Sequence, residues 1–91
     1  MEIRYNEKAI DDLKYWKKSG NSIIQNKIAN LLINIVESPF EGIGKPEPLK
    51  YNLSGKWSRR INEEHRIIYE VIIEESNSFL KIYSLKGHYF N

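Results

Sequence analysis

Two periods govern the alternation of hydrophobic and polar positions, and the change from one to the other divides the chain. Met1 to Tyr5 reads as a short strand, ending at Asn6, whose side chain suits a helix N-cap. From Glu7 to Lys18, Ala9, Leu13 and Trp16 recur at near-helical spacing, with Lys17 and Lys18 in the last turn and Gly20 as a stop. Ser22 opens a second helix, in which Ile24, Ile28, Leu31, Leu32 and Ile35 form one apolar stripe, and Ser38-Pro39 ends it. Consecutive helices joined by so short a turn form an αα-hairpin.

The stretch from Pro39 to Pro48 holds every proline of the chain together with Gly42 and Gly44, and reads as a loop. Beyond it the period falls to two. Leu49, Tyr51 and Leu53 alternate with Lys50 and Asn52 as a strand should, and Ser54-Gly55 reads as a hairpin turn. Trp57 to Asn62 is the expected return strand and Arg66 to Ile73 the most apolar, hence central, strand. Glu74 to Asn77 is a polar turn, and Phe79 to Leu85 a last strand before the tail Gly87-His88-Tyr89-Phe90-Asn91. The order β-α-α-β-β-β-β predicts an α+β fold, an antiparallel-dominated sheet with both helices on one face. With 91 residues and no linker or repeat, a single domain over 1–91 is expected.

Composition narrows the class. Hydrophobic residues make up 41% and charged residues 29%, which fits a globular chain and not a disordered one. There is no cysteine, so neither disulfides nor thiolate metal sites enter, and the apolar runs are too short for a membrane span or a secretory signal. A protein of the reducing cytoplasm, with no membrane partner, is expected. The formal net charge of +2 is unevenly spread. From Lys45 to Arg66 six basic residues face three acidic ones, while the remainder carries eight basic and nine acidic residues. The middle of the chain is therefore basic and the rest slightly acidic.

Most chemical motifs are excluded. Gly44-Lys45 is followed by Pro46 where a phosphate-binding loop needs Ser or Thr and a helix. Two histidines without cysteine make a metal site an unpromising reading, and no cofactor is expected. What remains is a basic, sheet-borne surface with a few acid–base groups. Arg59 and Arg60, both candidates for contacting substrate, are adjacent on a strand and point to opposite faces, so one can line a basic surface while the other meets a helix or solvent. Glu47 is held between two prolines, Arg66 opens the central strand, and His88 and Tyr89 lie in the tail. A carboxylate, a guanidinium and an imidazole converging on one face suffice for metal-free RNA cleavage. Each also has a plainer role: a salt-bridge pair for the arginines, solubility for Glu47, packing for His88-Tyr89. His65, after Glu63-Glu64, reads as a turn or capping residue, and Trp16 and Trp57 as core. From the residues alone the reading is a small α+β domain with a basic sheet face suited to RNA.

The stretch from Pro39 to Tyr69, with its Pro-Glu-Pro, Trp-Ser-Arg-Arg and Glu-Glu-His-Arg runs, resembles the central signature of the YoeB/Txe toxins of the RelE superfamily. Asp11-Asp12-Leu-Lys-Tyr-Trp16 and Gly87-His88-Tyr89 match as well, so the resemblance spans essentially the whole chain. It implies a RelE-like, microbial-RNase-like fold and an mRNA interferase, a ribosome-dependent endoribonuclease acting in the A site during translation. It further implies neutralisation by a YefM/Axe-type antitoxin, contact with operator DNA only through the antitoxin complex, and homodimerisation through the helices. By the same resemblance Glu47 is the general base on the 2′-hydroxyl, Arg66 stabilises the phosphorane, His88 is the general acid, Tyr89 holds the substrate, and Lys50 and Arg60 contact phosphate. Two readings compete with it: a catalytically silent, antitoxin-binding corepressor, and a non-enzymatic RNA-binding domain.

Overall fold

A computed structural model describes residues 1–88. In chain order it contains β1 (Glu2–Tyr5), α1 (Glu7–Ser19), α2 (Ser22–Glu37), β2 (Glu47–Pro48), a 3₁₀ turn (Tyr51–Leu53), β3 (Trp57–Arg60), β4 (Arg66–Glu74) and β5 (Asn77–Ser84). Local chemistry explains the helix ends. Asn6 and Asn21 each accept, through the side-chain oxygen, the backbone N–H three residues on, at 2.9 and 3.1 Å. Gly20 closes α1 in the left-handed conformation.

The strands form one five-stranded sheet in the order β1-β5-β4-β3-β2. All neighbours are antiparallel except β1, which lies parallel to β5 from Glu2↔Phe79 to Tyr5↔Ile82. Ile67 and Tyr69 of β4 and Leu80 and Ile82 of β5 point to one side, where they pack with Ala9 and Trp16 of α1 and Ile24, Ile28, Leu31 and Ile35 of α2. Each such large aliphatic side chain contributes about 1.5–3 kcal/mol by leaving water. The expected α+β architecture and element order are those observed. Among the described residues no helix is long and apolar enough to cross a membrane.

One strand is misplaced by the sequence pattern. Leu49 to Leu53 is not extended: Tyr51 has φ 56° and is exposed, and Tyr51–Leu53 forms the 3₁₀ turn. The second strand is instead Glu47–Pro48, inside the stretch read as loop. Leu49 N–H still reaches Lys56 O at 2.9 Å, so the connection to β3 is a longer loop than a Ser54-Gly55 hairpin. The alternation reflected Leu49 alone turning inward.

A second correction concerns Arg59. It is fully buried, although its neighbour Arg60 is exposed. Its side chain enters the helix side of the sheet and spends its donors on the protein. Nε donates to Tyr69 Oη (3.1 Å), one terminal nitrogen to Asn34 Oδ1 and Ile43 O, the other to Ser38 O and Glu41 O. Arg59 therefore cannot contact a substrate. No carboxylate is among these acceptors. The charge is met by carbonyls of the Ser38–Ile43 loop and by the negative end of the α2 dipole. Tyr69 Oη in turn donates to Pro39 O at 2.6 Å. Gly42 and Gly44 permit the loop's close approach: both have positive φ, and a Cβ would stand 2.2 Å from Asn34 Oδ1 at Gly42 and 2.7 Å from Leu31 Cδ2 at Gly44.

Replacing Arg59 by Lys leaves one ammonium where five hydrogen bonds were made. Arg59→Lys will lower the unfolding free energy by about 2–4 kcal/mol, and hence the melting temperature by roughly 10 °C or more. Thermal melting followed by circular dichroism measures this, and an unchanged melting temperature would contradict the role given to the guanidinium.

The tyrosines set the alkaline limit. Burial raises the phenols of Tyr5 and Tyr69, and burial followed by the 2.6 Å hydrogen bond to Glu70 pushes Tyr83 up to about 12. A proton held more tightly in the folded chain stabilises it fully below the unfolded phenol value of about 10 and ceases to do so as pH climbs through the folded one. Stability measured by denaturant titration will fall between pH ~10 and ~12, and Tyr83→Phe will make that decline shallower.

Candidate active site

The sheet's other face carries the candidate chemistry, and strand register is what gathers it. Glu47 on β2 pairs with Ser58 on β3, which pairs with Ile68 on β4. Arg60 on β3 pairs with Arg66 on β4. Directly paired residues project to the same side, as do residues two apart on a strand. Glu47, Ser58, Arg60, Ile68 and Arg66 thus share the face opposite the helices, while Ile67 and Tyr69 turn into the core.

The electrostatics agree with this placement. The Arg66 guanidinium is pushed below its ordinary pKa by partial desolvation and then by the like charge of Arg60, whereas Glu63 and Glu47 act in the opposite sense. Two guanidiniums and a carboxylate therefore feel one another across the β2–β3–β4 ladder. Arg66 is also held in place: one of its terminal nitrogens donates to Asn62 O at 2.7 Å, His65 O at 3.1 Å and Glu63 O at 3.3 Å. The turn before β4 thereby aims the guanidinium that begins the strand.

His88 reaches the same neighbourhood from the end of the chain. Arg66 N–H donates to Gly87 O at 3.0 Å, so the residue after Gly87 emerges beside the start of β4, where it is exposed. Lys50 is exposed, two residues beyond β2, at the start of the 3₁₀ turn. Tyr89 lies outside the described residues. The structure so brings together Glu47, Arg60 and Arg66, sets His88 alongside, and removes Arg59. Among the described residues no group of three or more His, Asp or Glu side chains is arranged to hold a metal ion.

Three further residues had no role in the site assigned from the sequence. Lys27 of α2 lines, with Asn30, Gly44 and Arg60, a cavity of about 290 Å³ at the edge of this surface, adding a cation from a remote part of the chain. Lys56 lies over the Tyr83 ring at 4.5 Å and extends the basic surface towards β5. Asp12 is buried in α1, on the same side as Ala9 and Trp16, and binds the segment leading to His88. Only Asp12 left a legible signal, an acid interrupting an apolar stripe.

Comparison with known proteins finds this combination of fold and sequence elsewhere. The family described as YoeB-like toxin of bacterial type II toxin-antitoxin system matches residues 5–89. Toxin YoeB of Escherichia coli strain K12 is 45% identical over 89 residues, covering 98% of this chain and all of that one. The YoeB/ParE toxin from Agrobacterium tumefaciens superposes with a TM-score of 0.91 at 37% identity, covering 98% of this chain and 100% of its own. YoeB from Staphylococcus aureus, solved as a dimer (TM-score 0.83) and in a heterotetrameric YoeB-YefM toxin-antitoxin complex (TM-score 0.82), is 41% identical with 98% of each chain covered.

Proposed function

The chain belongs to the YoeB-like toxin family of bacterial type II toxin–antitoxin systems, and on that premise we propose that it is a ribosome-dependent endoribonuclease that cuts mRNA in the ribosomal A site. The observation that carries this reading is the register Glu47–Ser58–Ile68 beside Arg60–Arg66, which puts one carboxylate and two guanidiniums on a solvent-facing sheet surface. Such a surface suits a phosphodiester, because the cations attract the backbone while the carboxylate can accept a proton.

In the reaction, Glu47 takes the proton of the 2′-hydroxyl as that oxygen attacks the adjacent phosphorus. Negative charge builds on the non-bridging oxygens, and Arg66, with Arg60 beside it, stabilises the phosphorane. His88 gives a proton to the departing 5′-oxygen as the P–O5′ bond breaks. The products are an upstream fragment ending in a 2′,3′-cyclic phosphate and a downstream fragment with a 5′-hydroxyl. No external oxidant, water or metal is required for the balance. Lys50 and Tyr89 are assigned to substrate binding, and Arg59 has no part in it.

The partners follow the relatives. A YefM/Axe-type antitoxin, of the kind assembled with YoeB in the Staphylococcus aureus complex, is the proposed partner; it neutralises the toxin by covering the basic face, and the pair reaches operator DNA together. A homodimer is proposed by likeness to the Staphylococcus aureus YoeB dimer.

Mapping of mRNA 3′ ends in a reconstituted translation reaction tests the reading. Cuts will fall at A-site codons, require ribosomes, and slow by about 10²–10⁴-fold in Glu47→Gln. A 2′-deoxy substitution at the cleaved nucleotide will stop them. Cutting of that deoxy substrate at the normal rate would mean that another nucleophile attacks. No cutting by folded protein would favour the corepressor, and cutting of naked RNA alone a free-standing ribonuclease.

A further inference from the structure

The segment that delivers His88 is fastened at four successive residues, and the groups that fasten it come from α1 and from the turn before β4. From α1, Lys8 Nζ reaches Ser84 Oγ and Lys86 O, both at 3.0 Å. Asp12 Oδ2 accepts from Leu85 N–H at 2.9 Å, and Trp16 Nε1 donates to Leu85 O at 2.9 Å. The Lys8–Asp12 ion pair at 2.7 Å ties these grips to each other. The last grip falls to His65. Its Nδ1 accepts the Gly87 N–H at 3.0 Å, while Arg66 N–H donates to Gly87 O at 3.0 Å. Both polar groups of the Gly87 backbone are thus held by residues 65 and 66.

His65 is itself held. Asn62 Oδ1 accepts its N–H at 2.8 Å, its carbonyl accepts from Ile61 N at 3.0 Å, and its ring meets the edge of Trp16 at 4.9 Å. With Nδ1 turned to the Gly87 N–H, Nε2 faces Glu64 Oε2 at 3.9 Å. Gly87 adopts φ 97°, a conformation that side chains disfavour, so the bend before His88 needs both glycine and its two tethers.

We infer that His65 is a positioning residue for cleavage: through Nδ1 it locks the Gly87 peptide against the start of β4 and thereby sets where His88 stands relative to Arg66. This rests on the reading of His88 as general acid. The Lys8–Asp12–Trp16 grip explains how the tail reaches the sheet; the His65 bond fixes its last peptide. A displacement of about 1 Å in a reacting group can cost 10²-fold in rate, so the effect falls on the cutting step and not on affinity for the ribosome.

Three variants of the full chain separate this from a packing role. His65→Phe keeps an aromatic ring against Trp16 but has no acceptor. His65→Asn places an acceptor oxygen near the position of Nδ1. His65→Leu stands in for the Phe variant if that one does not fold. Hydrogen exchange of the Gly87 amide, read by NMR, will accelerate at least ~10-fold in His65→Phe and stay close to wild type in His65→Asn. Single-turnover cutting on programmed ribosomes will fall about 10- to 100-fold in His65→Phe with the ribosome Kd unchanged, and the Asn variant will recover most of it. Adding His65→Phe to His88→Ala will slow cutting no further than His88→Ala alone. Unchanged Gly87 exchange, equal loss in the Phe and Asn variants, or full additivity with His88→Ala would each overturn the inference. Failure of the reading beneath it has its own signature. A wild type that does not cut, or a His88→Ala variant that cuts normally, removes the purpose given to His65, while Gly87 exchange still decides whether the tether exists.

Discussion

The guanidinium of Arg59 is the constraint on which the rest of this small protein hangs. A cation fully inside a protein, with no carboxylate against it, is tolerated only if every donor finds an oxygen and the local dipoles point the right way. Here the oxygens belong to Asn34 on α2, Tyr69 on β4, and the backbone at Ser38, Glu41 and Ile43. The same group therefore joins a strand to the helix layer and reels in a proline- and glycine-rich loop whose large apolar side chains, Phe40 and Ile43, stay mostly exposed. That loop leads directly into Glu47. The carboxylate on the exposed face is placed by a cation on the hidden one.

This division of labour between neighbours explains what was and was not legible in the sequence. Periodicity revealed both helices, since Ile24, Ile28, Leu31 and Ile35 repeat with the helix and are the residues that pack. It placed β4 and β5 to within a residue or two. It misread Leu49 to Leu53, because alternation over so short a stretch does not distinguish a strand from a turn in which one leucine happens to face inward. The adjacent arginines were the harder case. Strand geometry says that they part, but the interior partners that decide which goes inward sit on α2 and in a loop far away in sequence. Charge argued for the surface, and an unusual set of carbonyls prevailed.

The candidate site was visible as a set of residue types and invisible as an arrangement. Glu47, Arg60 and Arg66 come together only through the pairing of β2, β3 and β4, and β2 was not where the pattern placed it. His88 depends on contacts still less local. Lys8, Asp12 and Trp16 look, in the linear chain, like the faces of an ordinary amphipathic helix; in space they hold the far end of the polypeptide. A buried aspartate on an apolar stripe is the kind of local inconsistency that marks a tertiary requirement.

The parallel pairing of β1 with β5 carries a consequence in time. Among the described residues the first strand has no neighbour other than β5, so a segment made early in synthesis stays unpaired until one made much later has emerged. The α1 grips on Ser84–Lys86 wait with it. An unfinished chain has two helices and part of a sheet, but no closed edge and no fixed tail. In a molecule with this topology the closing of the sheet edge and the fixing of the segment before His88 come together and come late, by the order of its own strands.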